Sequence, residues 1–89
     1  MKTVFLDADL ANRDAVMAHL ADHLEIPAYF ARNLDALWDV MRGDVGGPFE
    51  IIWRDHDRAH AALGAEYDQL VALFGRLAEE RADFAFRLA

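Results

Sequence analysis

The sequence predicts an α/β fold, a three-stranded parallel sheet packed with four helices, with residues 1–89 forming a single domain. Three observations carry that expectation. Short runs of β-branched and aromatic residues occur at three places, stretches of helical periodicity lie between them, and turn signals separate the two kinds. Strands that alternate with helices pair in parallel through helical crossovers, and such crossovers are overwhelmingly right-handed.

The elements follow in order. Lys2 to Leu6 is a short apolar run bounded by acidic residues, hence a strand. Asn12 is placed to cap a helix from about Arg13, with Asp14 favoured by the N-terminal dipole. Val16, Leu20 and Leu24 recur every four residues, flanked by Met17 and His23, and Pro27 is expected to close that helix. A second helix starts with Asn33 as cap and ends at Gly43, expected to be left-handed. Gly46-Gly47-Pro48 is the strongest turn signal, and Phe49 to Trp53 reads as the central strand. Asp55 is placed to cap a short helix through Leu63, which Gly64 ends. A last helix runs from about Glu66 to Arg81 with Leu70, Leu73, Phe74 and Leu77 as its apolar stripe. Phe84, Phe86 and Leu88 alternate with Asp83, Ala85 and Arg87, as in a terminal strand with one buried face.

Composition narrows the function. The chain has 89 residues, 55% of them hydrophobic, so ordinary apolar packing can supply a core. With no cysteine there is no disulfide, thiolate or cysteine-ligated metal. Sixteen Asp and Glu against nine Lys and Arg give a net charge of -7. That sign disfavours nucleic acid and anionic membrane as partners, since both are bound by Lys and Arg. A basic partner is the natural complement. The first apolar run, Thr3 to Leu6, is stopped by Asp7, short of a signal peptide, and no stretch approaches a membrane span. Cytoplasmic residence is the default expectation.

Enzyme signatures are missing: no GxGxxG, Walker loop or HExxH occurs, serine is absent and Thr3 is the one threonine. Catalysis by a serine or cysteine nucleophile is therefore excluded, and no catalytic residue is assigned. His19 with His23 and His56 with His60 are each spaced i,i+4, a geometry that suits a metal. Two ligands do not make a site, and neither pair brings a clear third. Solvated surface histidines are the expectation, with no metal and no cofactor.

The segment from Ile26 to Asp44 is different. Leu34, Leu37 and Met41 form an inward stripe, while Asp35 and Asp39, spaced i,i+4, share the opposite face and repel each other. Trp38 lies at the border, and Tyr29 and Phe30 put two aromatics in the lead-in. Carboxylates flanked by Trp and Tyr resemble an interface, because aromatics are enriched at binding hot spots. Each residue also has an ordinary reading. Asp35 gains from the helix dipole wherever it points, Asp39 can pair with Arg42, Asn33 is a common cap, and Trp38 and Tyr29 can cover the core edge. The residues alone leave both readings open.

The run Pro27-Ala28-Tyr29-Phe30-Ala31-Arg32-Asn33-Leu34-Asp35-Ala36-Leu37-Trp38-Asp39 resembles the barstar family of small intracellular ribonuclease inhibitors. Members carry Pro-x-Tyr-aromatic-Gly-x-Asn-Leu/Trp-Asp-Ala-Leu-x-Asp there. Pro48, Trp53-Arg54, Phe74 and Asp83 extend the likeness more weakly over nearly the whole chain. The resemblance implies a barstar-like fold and inhibition without catalysis, in which the second helix and its lead-in plug the cleft of a basic extracellular or toxin-type ribonuclease. It implies a monomer when free and a 1:1 complex with the nuclease. Asp39 would be the central anion, facing the arginine and histidine cluster that holds the scissile phosphate, and Asp35 would meet a second basic subsite. Tyr29 would pack against the catalytic histidine, while Asn33, Leu34 and Trp38 shape the plug. Gly43 would allow close approach, and Asp44 would add a charge.

Three residues depart from the family pattern. Ala31 stands in place of a glycine, Asp44 in place of a tryptophan, and Arg76 in place of an acid in the last helix. A cation facing a basic enzyme is repulsive. Arg76 must therefore turn aside to Glu79 or Glu80, or meet a carboxylate on the partner. A barstar-like interaction module that no longer binds a barnase-type ribonuclease is the alternative.

Overall fold

The computed structural model describes residues 1–26 and 31–89. The chain runs β1 (Lys2–Leu6), α1 (Arg13–His23), α2 (Leu34–Gly43), β2 (Phe49–Trp53), α3 (His56–Leu63), α4 (Ala65–Glu80) and β3 (Phe84–Leu88). The three strands form one parallel sheet in the order β1-β2-β3, with Lys2 opposite Phe49, and Phe49 opposite Phe84. The expected class and the central place of β2 are both found.

Central position explains the burial of β2. Phe49, Ile51 and Trp53 are fully buried and Ile52 nearly so, because strands flank them on both sides. Parallel strands added in sequence order, by crossovers of one hand, bring their helices to one face of the sheet. Alternation puts Val4, Leu6, Ile51, Trp53 and Phe84 on that face, where they join the core. The other face is mixed, with Phe5 and Ile52 among polar groups: Thr3 donates to Glu50 (3.3 Å), Arg87 pairs with Glu50 (3.3 Å), and the Arg54 guanidinium carbon lies 4.4 Å from the Phe5 ring centroid. Asp7 grips Arg54 with both oxygens, at 2.8 and 3.1 Å, tying the ends of β1 and β2 together. Those bonds hold the Arg54 pKa above its ordinary value. The edge strand β3 fades outward. Phe84 is buried, Phe86 half-buried, and Leu88 exposed, so its inward face is shorter than the alternation implies.

The helices bury their expected stripes, Val16, Leu20 and Leu24 beside α1 and Leu70, Phe74 and Leu77 in α4, while Leu73 stays half-exposed. Asn12 accepts from Ala15 N–H and Asn33 from Ala36 N–H, both at 2.8 Å, which satisfies one orphan donor at each helix start. Three local expectations need correction. Helix α1 closes before Pro27, which lies outside the described residues. Glu25 adopts a left-handed φ of 58°, and Ile26 N–H reaches back to Ala21 C=O. Asp55 precedes α3 but does not cap it through its side chain; it is itself left-handed, at φ 51°. Gly43 is the last residue of α2 but is not left-handed. The chain instead continues through Asp44 in the right-handed region, and Val45 dives into the core.

A distant arginine finishes that helix end. Arg81 Nη1 donates to Met41 C=O and Val45 C=O, both at 2.8 Å, while Nε and Nη2 grip the Asp83 carboxylate at 2.9 and 2.8 Å. A Cβ on Gly47 would collide with that carboxylate, so any other residue there would have to displace the Asp83 side chain. The Arg81 hydrogen bond is the main cause holding the Asp83 pKa below its ordinary 3.8. A depressed carboxylate pKa contributes stability that is complete above the unfolded value and lost as pH falls through the folded one. The pair is therefore insensitive to pH above about 5. A carboxyl NMR titration should place the Asp83 midpoint below the ordinary aspartate value, and Arg81→Met should return it toward that value. An unchanged midpoint in the variant would show that Arg81 is not the cause.

Candidate functional site

Helix α2 presents the expected two-sided pattern. Leu37 and Met41 are fully buried and Leu34 half-buried, which fixes the roll of the helix and turns Asp35 and Asp39 outward. Both carboxylates are exposed, one turn apart, and among the described residues neither has an ion-pair partner. The ordinary reading that pairs Asp39 with Arg42 does not hold: Arg42 Nε binds Glu80 at 3.0 Å, bridging to α4. Asn33 caps the helix, and its neighbour Arg32 ties the lead-in to α1 through Asp14 at 3.1 Å. Asp44 is exposed at the far end. Tyr29, assigned to the same surface, lies outside the described residues.

Trp38 is half-buried between two cations. The Arg42 guanidinium carbon lies 5.6 Å from its ring centroid and that of Arg76 lies 4.6 Å away. Arg76 therefore does not turn aside. Among the described residues it makes no ion pair with Glu79 or Glu80, and it reaches from α4 onto the same surface as α2. Leu34, Asp35 and Trp38 on one side, and Gln69, Ala72, Leu73 and Arg76 on the other, line an open groove of about 220 Å³. Sequence reasoning assigned no groove. Its signal would have been the small Ala72 on the α4 face that meets α2.

The expectation of simply solvated histidines is refined. His19 and His23 stack on each other with centroids 4.1 Å apart, His19 Nε2 donating to Phe5 C=O and His23 Nδ1 to His19 C=O. His60 stacks on Tyr67 at 4.5 Å with Nε2 3.3 Å from Asp68, and His56 Nδ1 lies 3.4 Å from the Tyr67 hydroxyl. Burial raises the Tyr67 pKa, with Asp57 and Asp68 adding to it. Among the described residues no three His, Asp or Glu are grouped to share a metal ion. None of their helices is long and apolar enough to cross a membrane.

What α2 offers is therefore a pair of exposed carboxylates without an ion-pair partner among the described residues, with Trp38 on the same helix and Arg76 over its ring. A family model described as Barstar (barnase inhibitor) matches residues 1–89. The chain is 31% identical over 84 residues to a Bacillus subtilis (strain 168) protein named "Putative ribonuclease inhibitor YrdF", covering 93% of this chain and 92% of that protein. Both point to an inhibitor protein rather than a catalyst. With a match over its full length and the three parallel strands and four helices already described, the chain belongs to the barstar family.

Proposed function

We propose that this chain inhibits a basic ribonuclease of barnase type by inserting α2 and its lead-in into the active-site cleft, as a mimic of RNA phosphates. One observation supports this above all: Asp35 and Asp39 stand exposed, one turn apart, on a helix held at both ends, with no internal partner among the described residues. Like charges at this spacing cost a few tenths of a kcal/mol in the free protein. That cost is recovered when a cationic cleft receives both. Asp39 is the central anion for the arginine and histidine cluster, and Asp35 meets a second basic subsite. Leu34, Trp38 and Tyr29 supply apolar contact, Asn33 caps the start of the helix, and Gly43, with no side chain, allows close approach at its end. Asp44 extends the charge. The free protein is a monomer that forms a 1:1 complex in the cytoplasm, where it protects the cell from a secreted or delivered nuclease.

Mixing the pure protein with a barnase-type ribonuclease and following RNA cleavage tests the reading directly. Association should also depend on salt. The screening length falls from about 30 Å at about 0.01 M to about 3 Å at about 1 M. A chain of net charge -7 steered to a basic cleft should then associate at least ~10-fold more slowly, with a smaller change in dissociation. A salt-independent association rate would count against charge steering. Arg76, which lies over Trp38 and shares the groove with Asp35, favours a second reading, a family module that no longer binds barnase-type enzymes. Full-length RNA surviving only in controls that contain no nuclease would select it.

A further inference from the structure

We propose that Arg76 makes the groove between α2 and α4 a specificity subsite for a carboxylate side chain of the partner ribonuclease, an inference that rests on the inhibitor reading above. Asp35 belongs both to the carboxylate pair and to the groove wall, so a protein that covers the pair covers the groove. Arg76 then loses its water. Its guanidinium lies with its carbon 4.6 Å from the Trp38 centroid, a contact that leaves its N–H groups unused, and among the described residues it has no ion pair or hydrogen bond. The other cation on Trp38 differs in this respect, since Arg42 is already neutralised by Glu80 at 3.0 Å.

A guanidinium carries five N–H donors in a planar fork that matches a carboxylate, and a buried one without acceptors is strongly unfavourable. The groove is thus negative on its α2 wall, through Asp35, and positive on its α4 wall, through Arg76, with Trp38 and Leu73 as apolar lining. The complementary surface offers a base toward α2 and an acid toward α4. A nuclease that presents a cation toward α4 is repelled, so the same residue that selects one partner rejects another.

The test measures inhibition constants for the unmodified chain, Arg76→Gln and Arg76→Glu against a barnase-type ribonuclease. It repeats them against variants of that enzyme in which each Lys or Arg at the cleft rim is changed singly to Glu. Arg76→Glu should inhibit the unmodified, cation-rimmed enzyme at least ~10-fold better than the parent, with Arg76→Gln between them. At least one rim Lys→Glu or Arg→Glu variant should reverse that order, the parent becoming the better inhibitor. If the ratio between parent and Arg76→Glu stays the same on every nuclease, or within twofold of unity, the subsite is overturned. In that case Asp39→Ala still weakens inhibition by at least ~30-fold and the inhibitor reading stands. If no form of the chain inhibits any of the nucleases, Arg76→Glu included, the inhibitor reading falls and the subsite falls with it.

Discussion

Asp39→Ala should lose inhibition of the target ribonuclease by roughly 30- to 5,000-fold while melting within a degree or two of the parent. The binding loss follows from truncating one member of a desolvated, hydrogen-bonded charge pair, which typically costs about 2–5 kcal/mol; the barnase–barstar complex is itself among those that set this range. Much of that cost arises on the nuclease, whose cations are left covered and unpaired. Stability should hardly change, because Asp39 is exposed on α2 and among the described residues has no partner to lose. Its removal even relieves the repulsion with Asp35. Inhibition constants and thermal melts of the two proteins, measured side by side, separate the effects. A variant that inhibits at full strength would remove Asp39 from the interface and, with it, the phosphate-mimic reading. Asp35→Ala should show the same pattern with a smaller loss, as expected of a contact nearer the edge of the cleft.

What could be read in advance depended on how local its physics was. Periodicity reports burial directly, so Val16, Leu20, Leu37, Met41, Leu70 and Phe74 were assignable to the core from spacing alone, and all are buried. Capping by Asn12 and Asn33 is equally local, set within three residues. The central place of β2 was legible because Phe-Glu-Ile-Ile-Trp has too few polar residues for an edge. Turn handedness was less legible. Gly64 ends α3 at positive φ as glycine allows, but Gly43, which looked like the left-handed stop of α2, is not left-handed, whereas Glu25 and Asp55 are, against the preference of their residue types. Least legible were contacts between residues far apart in the chain. Nothing in the spacing of the sequence says that Arg42 reaches Glu80 while Arg76 lies over Trp38 with no ion pair among the described residues. For the site this matters most: the i,i+4 carboxylates were visible as a pattern, but that Arg42 leaves Asp39 alone is a fact of helix packing.

Arg81→Met should be the most destabilising single exchange at a polar position, lowering stability by about 2–3 kcal/mol, or on the order of 10–20 °C in a domain of this size. Helix ends leave carbonyls without partners, and α2 has no glycine stop to provide a local solution. Arg81 supplies it from the end of α4: its Nη1 serves Met41 C=O and Val45 C=O at once, and its side chain is only 15% exposed while it packs on Phe49. Methionine keeps the stem and much of the packing, so the loss reads the hydrogen bonds rather than a cavity. Lysine should recover less than half, because a point charge cannot face two carbonyls and Asp83 together as a planar fork does. Denaturant melts of the three proteins decide it, and a loss below about 0.5 kcal/mol for methionine would show that water replaces the guanidinium adequately. The contact also bears on inhibition, because Arg81 holds the C-terminal end of the helix that carries Asp35 and Asp39. Well below its melting temperature, Arg81→Met should weaken inhibition less than Asp39→Ala does, since it loosens the plug without removing its charge. A loss of inhibition as large as that of Asp39→Ala would mean that the orientation of α2 matters as much as the anion it presents.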